Sequence, residues 1–139
     1  MSRWPSEKQC TSWLGLSPRV RVSGGRVLSS RTRPTANRAA AALRLAAASL
    51  HHSKSALGAF FRRMKARLGT PKAITATAHK LARLIYAMLK HGTAYVAESM
   101  DTYEQKYRQR VMHNLSRRAR ALGYDLVAKK EAVTQAGLG

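Results

Sequence analysis

Between Lys8 and Ala97 the chain carries no carboxylate. Whatever this segment folds into is held by apolar burial and hydrogen bonds rather than by ion pairs among its own side chains. The acids are Glu7, Glu98, Asp101, Glu104, Asp125 and Glu131, set against 26 lysines and arginines, for a formal net charge of +20. Self-repulsion on that scale disfavours a compact chain unless a polyanion lies nearby. DNA and RNA are the first candidates, because neutralising their phosphates releases counterions; an anionic membrane surface is the second. A metal-dependent nuclease needs several carboxylates converging on its ions. The acids from Glu98 to Glu104 are too few and too local to supply them.

At 139 residues and 45% apolar content, the chain has room for one domain with a modest core. Cys10 is the only cysteine, which excludes an intramolecular disulfide and a cysteine-based zinc site. His51, His52, His79, His91 and His113 are scattered without ligand spacing, so no metal site is expected in this chain. No run approaches the ~20 apolar residues of a membrane span. A reducing cytosol is the expected setting. The first 35 residues are rich in Arg and Ser and nearly free of acids, as in an organelle transit peptide, but the same composition continues past any cleavage point.

The pattern predicts a mainly α fold of about five helices, with a short hairpin or irregular segment near the N-terminus and a disordered C-terminal tail. Ser6-x-x-Gln9 reads as a capping box opening a short helix through Trp13 and Leu14, stopped by Gly15. Helical period then vanishes. Val20-Arg21-Val22 and Arg26-Val27-Leu28, joined through Ser23-Gly24-Gly25, suit a small hairpin. Pro34 sits near the first turn of an alanine-dense helix expected over 35–52, with Leu43 and Leu50 on one face. Ser55 caps a third helix whose Leu57, Phe60, Phe61, Met64 and Leu68 form an apolar stripe ended by Gly69.

Thr70-Pro71 caps a fourth helix that runs to His91, with Gly92 as its stop. Its expected buried seam is Ile74, Ala78, Leu81, Ile85 and Met88. Lys72, His79, Arg83, Tyr86 and Lys90 recur on another face, which suits phosphate tracking or an ordinary solvated surface. A fifth, Arg-rich helix is expected over 102–122, ended by Gly123, with Tyr103, Tyr107, Val111, Leu115 and Leu122 on its apolar side. A short strand is expected over 124–127. The organisation that follows is 1–34 for the first helix and loop, 35–97 for the helical domain, 98–127 for a basic extension and 128–139 for the tail.

Ser12-Trp13-Leu14-Gly15-Leu16-Ser17-Pro18, then Val22-Ser23-Gly24-Gly25, then Asn37-Arg38-Ala39 opening the next helix, form an ordered set. It resembles the C-terminal domain of the DEDD-type insertion-sequence transposases, the Piv-like recombinases guided in studied members by a bridge RNA. The similarity continues through Lys72-Ala73-Ile74 and His79-Lys80-Leu81-Ala82-Arg83 to Tyr95, and the Arg-rich helix after Tyr103 resembles the tail of one branch.

The resemblance implies that Ser23 is the nucleophile that attacks a DNA phosphodiester. On its own, Val22-Ser23-Gly24-Gly25-Arg26 reads as a hairpin turn with a polar residue. Arg21 and Arg26 would then offset charge on the phosphoryl group. Arg31, Arg33, Arg38, Lys72, Arg83 and Lys90 are the further phosphate-binding candidates. The family's RNase H-like domain, whose carboxylates hold the metal (magnesium is expected), has no counterpart in these residues, and neither does most of the helix-hairpin-helix expected before Trp4-Pro5. Cys10 stands where the family pattern has a large apolar side chain. A truncated or mis-started reading frame is the expectation, with Trp4, Trp13 and Leu16 partly exposed.

The resemblance further implies DNA as partner, a guide RNA, a homo-oligomer or full-length transposase, no membrane, and a bacterial cytoplasm with nucleoid association. The rival readings are a non-enzymatic basic DNA- or RNA-binding or architectural protein, and a membrane-active helical peptide. The charge pattern makes the first prediction. With ~6 cations on phosphate, log K for duplex DNA falls with log salt at a slope of about −5. A salt titration by fluorescence anisotropy checks it; a flat slope, or preference for anionic vesicles, counts against a nucleic-acid partner.

Overall fold

The computed structural model describes residues 3–129. The chain divides into two compact units, Met1–Asp101 and Thr102–Gly139. Its order is α1 (Glu7–Trp13), β1 (Arg21–Ser23), β2 (Arg26–Ser29), α2 (Arg38–Ser49), a 3-10 turn (Leu50–His52), α3 (Ala56–Leu68), α4 (Thr70–His91) and α5 (Thr93–Ala121). The expected class, mainly helical with one hairpin, is what the chain adopts.

Ser6 caps α1, its side chain accepting the Gln9 N–H at 3.4 Å. Beyond the helix the Leu16 N–H returns to the Thr11 carbonyl, which folds Leu14 and Leu16 beneath the helix. Leu16 is only 1% exposed, contrary to the expectation that it stands open, because α1 docks on α4 rather than on a missing element. Trp13 does remain 51% exposed, its ring 5.1 Å from that of Trp4. Thr11, not singled out by any sequence pattern, is buried; its hydroxyl donates to the Lys8 carbonyl and accepts from Ser17 Oγ at 3.0 Å.

β1 and β2 pair antiparallel in the register Ser23↔Arg26, Val22↔Val27 and Arg21↔Ser29, with Leu28 the extra residue at a bulge. Gly24 and Gly25 alone form the turn, both at positive φ (55° and 75°), as a two-residue turn matching strand twist demands. Ser23 therefore ends a strand instead of belonging to the turn. An isolated two-stranded hairpin is marginal in water. Here the pairing is prolonged by Arg19 N–H to the Arg31 carbonyl at 3.1 Å and by a bridge between Pro18 and Thr32.

The second helix starts later than expected. Asn37 Oδ1 accepts the N–H groups of Ala39 and Ala40 and fixes the first turn at Arg38, leaving Pro34 and Thr35 outside. Ala40 and Ala47, seven residues apart and fully buried, meet Ala78 and Ala82 of α4 in one cluster with Leu14 and Leu16. Cys10, Leu43, Ile74 and Leu81 pack against it. Burial raises the Cys10 thiol above its ordinary range, as suits an inert core side chain.

The predicted seam of α4 is rotated. Its buried residues are Ala73, Thr77, Ala78, Ala82 and Tyr86, whereas Ile85 and Met88 are 41% and 38% exposed. Small side chains allow α1, α2 and α3 all to approach this helix, and that contact decides which face turns inward. Tyr86 is drawn in because its hydroxyl donates to the Trp4 carbonyl at 2.8 Å.

Ser55 caps α3 as expected, and Phe61 from its stripe is buried, while Leu68 stays exposed. The fifth helix begins at Thr93, one residue after Gly92, and not at 102. It buries none of its residues. Residues 124–127 form no strand, since no partner strand faces them among the described residues; their chain instead closes α5 through Tyr124 N–H to the Ala119 carbonyl. The expected tail, 128–139, lies almost wholly outside the described residues.

Gly58 is buried on α3 where a Cβ would run into the backbone carbonyl of Ser53 and crowd that of Leu50. Ala is worth about 1 kcal/mol over Gly in an open helix interior. At Gly58 the clash reverses the sign, and Gly58→Ala is expected to destabilise by about 1–3 kcal/mol. Thermal unfolding checks this: a raised Tm would mean that α3 does not approach the 3-10 turn so closely.

Candidate nucleic-acid interface

The β1–β2 hairpin sets Arg21, Ser23 and Arg26 together. Arg21 and Ser23 are two apart on one strand and Ser23 is directly opposite Arg26, so the three share a face. Val22 and Val27 take the other face. All five are exposed, at the tip of a ribbon that the rest of the unit does not cover. Arginines thus stand beside the exposed Ser23 in sequence register, one on its own strand and one directly opposite.

The other basic candidates do not converge on that face alone. Arg31 and Arg33 follow β2, Arg38 opens α2, and all three are exposed. On α4, Lys72 is exposed near the start of the helix. Arg83 is engaged: its Nε and Nη2 donate to Glu7 Oε1 at 3.1 and 2.6 Å, clamping α1 to α4. Lys90 stands 5.9 Å over the Tyr86 ring. The second half of the expected phosphate face thus serves packing, with Tyr86 buried and Arg83 paired. Burial first, and then Arg83, push the His79 imidazole below its ordinary value, with Glu7 opposing.

A second polar cluster escaped the sequence reading. At the corner between α2 and α3, Lys65 Nζ lies 3.0 Å from His51 Nε2, and His51 Nδ1 lies 3.3 Å from His52 Nε2. Arg62 donates to the carbonyls of His51 and Ser53. The Lys65 ammonium first, then burial, His52 and Arg62, hold His51 below its ordinary value. Adjacent histidines were the only sequence signal, and a partner fourteen residues away is not legible in a helical period.

Among the described residues no three His, Cys, Asp or Glu side chains come together as a metal site. No helix among them is long and apolar enough to cross a membrane.

Residues 1–62 match the family model for Transposase IS116/IS110/IS902 family. The matched stretch takes in α1, the whole hairpin, α2, the 3-10 turn and the first half of α3. The match covers less than half of the chain and marks that part as similar to insertion-sequence transposases. No curated protein and no solved structure matches the chain.

The Glu7–Arg83 pair yields a prediction. Both side chains are partly exposed, so the pair adds only about 0–1 kcal/mol to stability. Glu7→Gln releases Arg83 for phosphate. Duplex affinity is expected to rise on the order of threefold and the salt slope to steepen by about 0.9. An unchanged slope in anisotropy titrations would show that Arg83 faces no phosphate even when free.

Proposed function

We propose that the chain is the serine-bearing DNA-binding part of an insertion-sequence transposase, acting in DNA transposition and recombination. The observation that carries this reading is the family match over residues 1–62, which contains the ribbon where Arg21, Ser23 and Arg26 share a face. In this reading Ser23 Oγ attacks phosphorus as the bond to the leaving deoxyribose oxygen breaks. The hydroxyl proton passes to a base outside this chain, and the leaving oxygen takes one up. The covalent phosphoserine keeps the bond energy for rejoining.

A serine hydroxyl is a weak nucleophile until a base or metal activates it. The site would therefore be composite: a carboxylate-bearing RNase H-like domain of a full-length transposase would supply the metal chemistry. A guide RNA is the second polynucleotide, and the bacterial cytoplasm, on the nucleoid, is the setting. The rival reading is a non-enzymatic basic DNA- or RNA-binding module; the charge and the lack of a metal-ligand cluster among the described residues favour it for the isolated chain.

The isolated chain is expected neither to cleave nor to join DNA. With an RNase H-like family domain, guide RNA, magnesium and matched DNA, a covalent DNA–protein adduct is expected on denaturing gels. Ser23→Ala abolishes it and leaves duplex binding almost unchanged, because one neutral hydroxyl adds little beside so many cations. Ser17, Ser29 and Ser30 are the controls. An adduct that survives in Ser23→Ala or maps to Ser29 or Ser30 refutes the assignment, as does cleavage by the isolated chain with magnesium.

A further inference from the structure

A groove of about 820 Å³ opens between the segment that follows the hairpin and the first half of α4. That volume is within the ~300–1,000 Å³ of sites that hold small organic groups. Its apolar surface comes from Leu16, Pro18, Leu28, Leu68, Pro71 and Ala76. Arg31 comes to the lining from the segment after β2, and Lys72 and His79 come from α4. The Ser30 hydroxyl adds a donor, the Thr75 hydroxyl donates to the Pro71 carbonyl, and no carboxylate lines it.

We propose that this groove binds a segment of single-stranded polynucleotide, with nucleobases against the aliphatic floor and the backbone phosphates spanned between Arg31 and Lys72. The inference rests on the nucleic-acid reading above and deepens it. A duplex offers a protein its charged backbone and base edges while its base faces stay stacked. An apolar floor gains nothing from it. A single strand presents base faces and sugars together with phosphates, and such strands are held by cationic grooves with flat or apolar platforms.

The lining has that double character. Two prolines and an imidazole share the lining with two cations, one from the loop and one from the helix. Burial, and then Arg83, lower the proton affinity of the His79 imidazole, with Glu7 opposing. An apolar peptide would leave Arg31 and Lys72 without counter-charge, and the +20 of the chain disfavours a second copy as occupant.

The test uses the full chain with labelled oligothymidylate and oligouridylate of about ten nucleotides, beside a duplex of equal length. Ala76→Trp fills the groove, and Lys72→Glu reverses one of its charges. Each is expected to weaken single-strand binding about tenfold and duplex binding by no more than about threefold. Lys54→Glu, an equal charge change on the α2–α3 corner, is expected to weaken both strands alike. Photo-cross-links from 4-thiothymidine should map to Leu28–Thr32 or Leu68–His79. The two oligonucleotides distinguish a DNA from an RNA strand.

Cross-links confined elsewhere overturn the proposal. So do groove variants that lower single-strand and duplex affinity equally or leave both intact. A shift in oligomeric mass on Ala76→Trp with unchanged single-strand affinity would make the groove a protein-docking surface instead. If the unaltered chain binds neither single strand nor duplex, the underlying nucleic-acid reading is what has failed.

Discussion

The contact on which the first unit depends is alanine against alanine. Ala40 and Ala47 of α2 press on Ala78 and Ala82 of α4, with Leu14 and Leu16 filling the end of the same cluster. Side chains this small bring helix backbones close, so dispersion contacts are dense even though few large residues are buried. A segment without carboxylates and with a heavy excess of cations has few ion pairs to draw on, and close packing supplies the cohesion that charge would otherwise oppose. Phe61 and the buried Gly58 repeat the device at the α3 corner, where a missing Cβ lets the helix meet the preceding turn.

From that seam the distribution of function follows. α4 is the scaffold on which α1, α2 and α3 all rest. Its second half is used up by α1: Tyr86 holds the Trp4 carbonyl and Arg83 holds Glu7, so an aromatic and a cation that would otherwise face a polyanion become structural. Its first half is left open toward the segment after the hairpin. The hairpin itself projects with all its basic residues exposed, tied down only at its base. A rigid helical platform thus carries a ribbon that is accessible on both faces, an arrangement suited to meeting a long polyanion and unsuited to a closed small-molecule site.

Caps and stops were legible because they are local. Ser6 and Ser55 each accept a helix N–H three residues ahead, and Gly69 and Gly92 stop helices with no need of a partner. The Gly24-Gly25 turn is equally local, and it carries Ser23 and Arg26 into direct opposition. What escaped was every feature that depends on a distant surface. Ile85 and Met88 read as core by period yet are half open, while Tyr86 read as surface and is buried, since the Trp4 carbonyl ahead of α1 accepts from the tyrosine hydroxyl. The start of α2 was misplaced because Pro34 is a weaker determinant than the Asn37 cap. The fifth helix was begun late, because residues 93–101 lack an apolar stripe and are helical all the same.

By itself, the sequence determined the charge, the number and kind of elements, a hairpin about the Gly24-Gly25 pair, and the exclusion of disulfide and cysteine–zinc chemistry. These depend on residue type and short spacing, which survive any tertiary arrangement. Only the tertiary structure decided which cations are free and which are spent on packing, that Leu16 is core, and that an apolar groove flanked by Arg31 and Lys72 exists. Those depend on which faces meet. With so many alanines on α2 and α4, the apolar period leaves several faces nearly equivalent, and the choice among them is made by the long-range contacts of Trp4, Glu7, Arg83 and Tyr86.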